Sequence, residues 1–243
     1  MNSTPPAIPV LPAPLSFELR HLARSLNCDE PARPARIVAL GSSSTAGEGA
    51  IVPYPHRLEM QLRSTYSRRD GRPYRMIDVI NRGIGGEEAP KERRRLKDVL
   101  NDEPCLVIWQ IGTNSVWQGA ADHPPTLEIT IDELRAGIQE LKDAGNSDIV
   151  LMDLQYVPAL LTPATLESTN KMVLAIGDVA RQMQVNLFQR FKLMKAWHEI
   201  ARIPLDRMVN PDDPDRLHQS EWATQEITTK LHDVICDAIK RVA

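Results

Sequence analysis

The chain has few cysteines, few aromatic residues and no excess of charge, and each shortage removes a class of protein. Cys28, Cys105 and Cys236 are the 3 cysteines in 243 residues, and they stand far apart. An odd, scattered set builds neither a disulfide framework nor a CxxC metal pair. Cys105, inside the apolar run CLVIWQI, and Cys236, on an apolar helical face, read as core thiols. Aromatic residues make up 5% of the chain. The most basic stretch, RSTYSRRDGR (63–72), lacks the aromatic interleaving that stacks bases, so it reads as a solvated helix end or loop. With 29 basic and 32 acidic side chains the net charge is −3. That is too weak to draw the chain to nucleic acid or to an anionic membrane.

Long apolar runs are missing too, since none approaches the roughly 18 residues that span a bilayer. The first 14 residues, MNSTPPAIPVLPAP, carry five prolines and no basic n-region, which argues against a signal peptide. The cytoplasm is the expected compartment. A secreted or periplasmic location stays open, because a leader can be trimmed away.

What is present is a globular α/β pattern. Apolar residues make up 42% of the chain, and the length suits one well-buried domain. Short apolar, β-branched runs recur at 36–40, 76–81, 105–111, 148–154 and 185–188. Their near-continuous apolar character fits strands buried on both faces. Helical patterns lie between them: Leu127, Ile131, Leu134, Ile138 and Leu141 share one face, and Gly145 closes it. Ile227, Leu231, Val234, Ala238 and Val242 do the same near the C-terminus. Alternating strands and helices predict a parallel sheet in a three-layer α/β/α sandwich. Leu15, Leu19, Leu22 and Leu26 predict a short amphipathic helix behind a proline-rich arm. Residues 1–34 are thus expected to form an arm and helix, and 35–243 the domain. The arm could cover its own domain or a neighbour, so a homo-oligomer is open.

Four segments carry the chemistry, and three directly follow predicted strands. They are GSSSTAG (41–47), NRGIGG (81–86), GTNS (112–115) and DRLH (215–218). In a parallel sheet the loops after the first three strands emerge on one edge, where open α/β sheets bind ligands. Hydroxyls, glycines and an amide therefore converge. This is the inventory of acyl transfer. A serine hydroxyl needs a base to take its proton, and His218 can supply one near neutral pH. Asp215, three residues before His218, could fix the tautomer and stabilise the imidazolium. The backbone N–H groups of Ser43 and Gly86 and the Asn114 side chain suit a developing oxyanion. Each segment alone also fits a plain turn or cap. GSSSTAG is neither a Walker loop, having no lysine, nor a GxSxG elbow.

Together the four blocks resemble the SGNH (GDSL-type) hydrolases, over residues 36 to about 240. The resemblance implies a flavodoxin-like sheet of order 2-1-3-4-5 and a serine esterase that uses no metal or organic cofactor. By motif position the nucleophile maps to Ser43, the final block to Asp215 and His218, and the oxyanion donors to Ser43 N–H, Gly86 N–H and Asn114. Two positions depart from the pattern: Ser42 replaces the family's Asp before the nucleophile, and Ser115 replaces the Asp after Asn114.

Other side chains receive lesser roles. His56 reads as a surface or supporting residue, His232 as lying on the exposed face of the last helix, and Glu87 and Glu88 as a solvated helix start. Trp117, Tyr156, Val157, Leu160 and Leu161 are candidates to line the substrate entrance, or else pack on the domain. The expected substrate is a small-molecule ester with a short acyl group, such as an acetyl on a sugar or a small aryl ester. An acyltransferase on the same site and a non-catalytic carbohydrate-binding relative are the alternatives.

Overall fold

The structure, a computed structural model, describes residues 11–27, 33–47, 49–66, 76–117 and 125–242. Cys28, His123 and much of the basic 63–72 stretch lie outside the described residues. The apolar runs form β1 (Ala35–Gly41), β2 (Ile77–Gly83), β3 (Leu106–Gln110), β4 (Asp148–Met152) and β5 (Asn186–Phe188). All pair in parallel, in the order β2-β1-β3-β4-β5. The central strand β3 is buried at every position, as a sheet covered on both faces requires.

The helices in chain order are α1 (Arg20–Asn27), α2 (Ser43–Ala46), α3 (Tyr54–Tyr66), α4 (Ala89–Arg94), α5 (Leu96–Asn101), α6 (Thr113–Val116) and α7 (Leu127–Ala144). They continue with α8 (Leu166–Gln182), α9 (Arg190–Glu199), α10 (Leu205–Met208) and α11 (Glu221–Lys240). One helical layer joins α1, α3 and α11, and the other joins α4, α5, α7 and α8. Their ends follow local chemistry. Thr126 and Ser220 cap α7 and α11 by accepting from Ile129 N and Ala223 N. Gly145 ends α7 at φ +69°, a left-handed position that glycine adopts without strain.

The N-terminal stripe folds differently from the expectation. Leu15, Leu19 and Leu22 are all in the core, but the helix begins only at Arg20. Tertiary hydrogen bonds hold the preceding stretch and the first turn of the helix. Phe17 N–H donates to Asn186 Oδ1 at 2.7 Å, Leu22 N–H to Asp148 Oδ2 at 2.9 Å, and Arg241 to the Leu15 carbonyl at 2.7 Å. Side chains at the amino ends of β4 and β5 thus tie the arm across its own sheet.

Trp109 anchors the middle of the sheet. Its ring lies so close under α7 that a Cβ at Gly137 would sit 2.5 Å from it. Its indole N–H donates to Glu92 Oε2 at 2.8 Å. Glu92 is 2% exposed, and burial pushes its carboxyl up to about 8 despite that hydrogen bond. A raised carboxyl pKa favours the folded state fully below the ordinary value of about 4.3, and the benefit is lost as pH rises towards 8. Glu92→Gln keeps an acceptor for Trp109 and removes the ionisation. Its Tm relative to the unmutated chain is expected to climb steadily from about pH 5 to about pH 8, as thermal melts across that range would show. A difference that stays constant with pH would contradict it.

Candidate active site

The turn after β1 is shaped by two close approaches. A Cβ at Gly41 would lie 2.4 Å from Thr45 Oγ1 and 2.9 Å from Gln110 Oε1. A Cβ at Gly83, where β2 ends, would lie 2.2 Å from Ala46 N. Both positions therefore exclude a side chain, and the end of β2 can press against α2. Ser43 is the first residue of α2, and a Cβ placed on Gly85 would stand 3.9 Å from the Ser43 Cβ. The glycine block read from the sequence is thus a packing surface for the serine turn.

The far end of the chain reaches the same place. His218 Nε2 lies 3.0 Å from Ser43 Oγ, across 175 positions of sequence. The carboxylate at the other ring nitrogen is Asp213, not Asp215. Asp213 Oδ2 stands 3.0 Å from His218 Nδ1 and accepts from the N–H groups of Leu217 at 2.8 Å and His218 at 2.6 Å. Its Oδ1 accepts from the Asp215 N–H at 3.1 Å.

The physical reason is the shape of the loop. A bridge between Val209 and Gln219 closes it, Arg216 takes a left-handed φ of +55°, and Leu217 is sunk in the core. The chain therefore curls around the Asp213 side chain, while the Asp215 side chain is exposed. Three-residue spacing would bring a carboxylate beside an imidazole on a helix, but this segment is a series of turns. Three carboxylates, at 212, 213 and 215, precede the histidine, and no local signal separates them.

Asp213 is held as an anion. Partial burial pushes its carboxyl up, but the N–H donors of His218 and Leu217 and the imidazole's charge outweigh that, so its pKa lies below the ordinary carboxylate value. An anion can only accept, so in the neutral ring it is Nδ1 that carries the proton, and the Nε2 lone pair then faces the Ser43 hydroxyl.

The third loop joins in through Asn114. Its Nδ2 donates to the Glu87 carbonyl at 2.7 Å, which ties the start of α6 to the loop after β2. Gly86, in that loop, has φ +74°, a backbone position suited to glycine. The two departures from the family pattern have partners of their own. Ser42 Oγ lies 3.3 Å from Gln110 Oε1, and Ser115 Oγ accepts from Thr130 Oγ1 at 2.9 Å. Both glutamates after the glycine block have little exposed side chain, Glu87 being paired with Arg95, rather than forming a solvated helix start.

Ser43 and His218 open on a small cleft walled by Ile51, Pro53 and Thr224. The expected entrance residues lie elsewhere. Val157 and Leu160 are fully buried, and so cannot touch a substrate. Tyr156 is half-buried edge-on to Phe191 at 5.2 Å, and Trp117 packs partly buried against the core. The local signal for the wall is the apolar IVPYP that follows the serine loop, which supplies Ile51 and Pro53. His56 is exposed on α3. His232 is not on an open face, because its ring bonds Thr65 Oγ1 at 2.8 Å between α3 and α11. Among the described residues no group of three or more His, Cys, Asp or Glu side chains could hold a metal ion, and no helix is long and apolar enough to cross a membrane.

Known proteins share this architecture. The profile of the non-GDSL lipase-like family matches residues 7–241. A lipase/acylhydrolase from Enterococcus faecalis superposes with a TM-score of 0.65 at 20% identity, covering 85% of this chain and 96% of that one. An acetylxylan esterase from Geobacillus stearothermophilus superposes with a TM-score of 0.64 at 20% identity, covering 84% and 94%. No curated protein sequence matches the chain. The five-stranded order and the SGNH-type resemblance read from the sequence agree with these findings.

The two neighbouring carboxylates should separate in stability. The depressed Asp213 pKa stabilises the fold above the ordinary carboxyl value of about 4, and this is lost as pH falls through the folded value. Asp213→Asn is expected to lower Tm near pH 7 and to lose that deficit in acid. Asp215→Asn is expected to melt like the unmutated chain throughout. Equal curves for both variants would refute the distinction.

Proposed function

The chain belongs to the non-GDSL lipase-like family, and from that premise we propose that it is a serine carboxylic ester hydrolase. The observation that carries the reading is one line of contacts: Ser43 Oγ to His218 Nε2 at 3.0 Å, and His218 Nδ1 to Asp213 Oδ2 at 3.0 Å. His218 Nε2 takes the hydroxyl proton as Ser43 Oγ bonds to the ester carbonyl carbon. The carbonyl oxygen becomes an oxyanion, and Ser43 N–H, Gly86 N–H and Asn114 Nδ2 are its proposed donors. One Asn114 N–H is already given to Glu87 O, and an amide nitrogen has a second. Collapse breaks the bond to the alcohol oxygen, which receives the proton from His218. Water, deprotonated by the same imidazole, then attacks the acyl carbon; collapse breaks its bond to Ser43 Oγ, which takes the proton back from His218, and the acid is freed. Asp213, anionic at neutral pH, holds the tautomer and steadies the imidazolium.

Support for a short acyl group comes from the cleft, whose Ile51, Pro53 and Thr224 walls stand close to Ser43. The structural neighbour from Geobacillus stearothermophilus is an acetylxylan esterase, which suits an acetyl ester on a carbohydrate.

Hydrolysis of p-nitrophenyl acetate and labelling by a fluorophosphonate test the reading. Ser43→Ala is expected to abolish both, and Asp213→Asn to lower kcat roughly 10³-fold by allowing the wrong tautomer. Asp215→Asn, a surface change, is expected to stay within about two-fold of the unmutated rate. Acetyl esters should outpace octanoyl esters. Unchanged turnover in Ser43→Ala would end the proposal.

A further inference from the structure

We infer that Arg190, Gln155, Thr113 and Gln110 form a buried positioning relay that sets the Ser43 turn against the His218 loop for acyl transfer. The inference rests on the ester-hydrolase reading above.

Ser43 and His218 belong to loops at opposite ends of the chain, and a 3.0 Å contact between them requires both to be held. Displacement of reacting groups by about 1 Å can cost on the order of 100-fold in rate. The two residues that directly precede them, Ser42 and Leu217, are joined by one continuous chain of hydrogen bonds. Ser42 N–H donates to Gln110 Oε1 at 3.3 Å, and the Thr45 hydroxyl lies 3.4 Å from the same oxygen. Gln110 Nε2 donates to Thr113 Oγ1 at 3.4 Å, and Thr113 Oγ1 donates to Gln155 Oε1 at 3.0 Å. Gln155 Nε2 then donates to the Leu217 carbonyl at 3.3 Å.

Arg190 gives this chain its direction. Its Nη2 donates to Gln155 Oε1 at 2.8 Å, and its Nε to the Asp153 carbonyl at 3.0 Å. A guanidinium can only donate, so the Gln155 amide must turn its oxygen to Arg190 and its NH2 to Leu217. The Thr113 hydroxyl, with one proton, gives that proton to Gln155 and so accepts from Gln110. Gln110 is left with its oxygen towards the serine turn. One charged group thus fixes two amide orientations and one hydroxyl rotor. Each relay member is at most 2% exposed, so water is not at hand to replace a missing partner. Asp153 secures the source, because its Oδ1 accepts from Phe191 N–H at 2.9 Å, in the first turn of α9. The relay also accounts for Ser42, whose backbone and hydroxyl both meet Gln110.

Gln155→Glu separates positioning from packing. The introduced carboxyl keeps the shape and still accepts from Arg190 and Thr113. Protonated, it can donate to the Leu217 carbonyl; ionised, it cannot. The readout is the ratio of variant to unmutated kcat for p-nitrophenyl acetate at each pH. The ratio is expected near one in mild acid and to fall about ten-fold by about pH 8, with KM changed less than about two-fold. A ratio that stays near one at every pH, or that is lowered by the same factor at every pH, overturns the relay. If Gln155→Glu does not fold, Thr113→Val and Thr113→Ser replace it. Valine is expected to cost about ten-fold in kcat and serine to restore most of it, whereas equal effects overturn the relay. An unmutated enzyme that cleaves no activated ester and takes no fluorophosphonate label overturns the ester-hydrolase reading and this inference with it. An active enzyme with a flat ratio overturns the relay alone.

Discussion

The Asp213 carboxylate is the constraint around which the site is arranged. It accepts from the backbone N–H groups of Asp215, Leu217 and His218 and meets the His218 ring. A single buried anion thereby sets the loop's path and the imidazole's tautomer together. Neither function is separable from the other: the bonds that bend the chain are also the bonds that keep the carboxyl ionised. Arg216, held outside by Asp206, and Leu217, sunk in the core, leave the loop one way to close.

The opposite partner is shaped by absence of bulk. Gly41 and Gly83 let β1, β2 and α2 approach to distances that a methyl group would forbid. Ser43 is consequently supported by backbone from two strands. Rigid elements place it, as a nucleophile that must meet a base from a distant segment requires. The arm at 11–27 belongs to the same economy of packing. Its leucines fill the lower core, and Asn186 and Asp148 hold its backbone where no helix satisfies it.

Much of this was legible in the residues. Apolar runs with β-branched character mark every strand, and the periodic faces of α7 and α11 locate the two longest helices because burial on one side leaves a 3.6-residue imprint. Ser43, Gly86 and Asn114 stand in blocks at strand ends, and His218 in a block just before the last helix. The misplaced residues share a cause. Asp215 has the motif's position and the three-residue spacing, but the turns of this segment bring Asp213 to the imidazole instead. Val157 and Leu160 looked like a loop mouth, yet the chain after β4 folds them into the core. Gln110, Gln155 and Arg190 are single polar residues at the edges of apolar runs, where nothing local announces that they meet.

The sequence by itself therefore determined the sheet, its parallel sense, the two longest helices and the set of reactive groups, because those follow from periodicity and from the chemistry of short contiguous segments. Only the tertiary structure decided which of three adjacent carboxylates faces the imidazole, which apolar residues wall the cleft, and how buried amides link the two loops. Those choices depend on the direction of side chains in irregular turns, and that direction is fixed by partners distant in the chain.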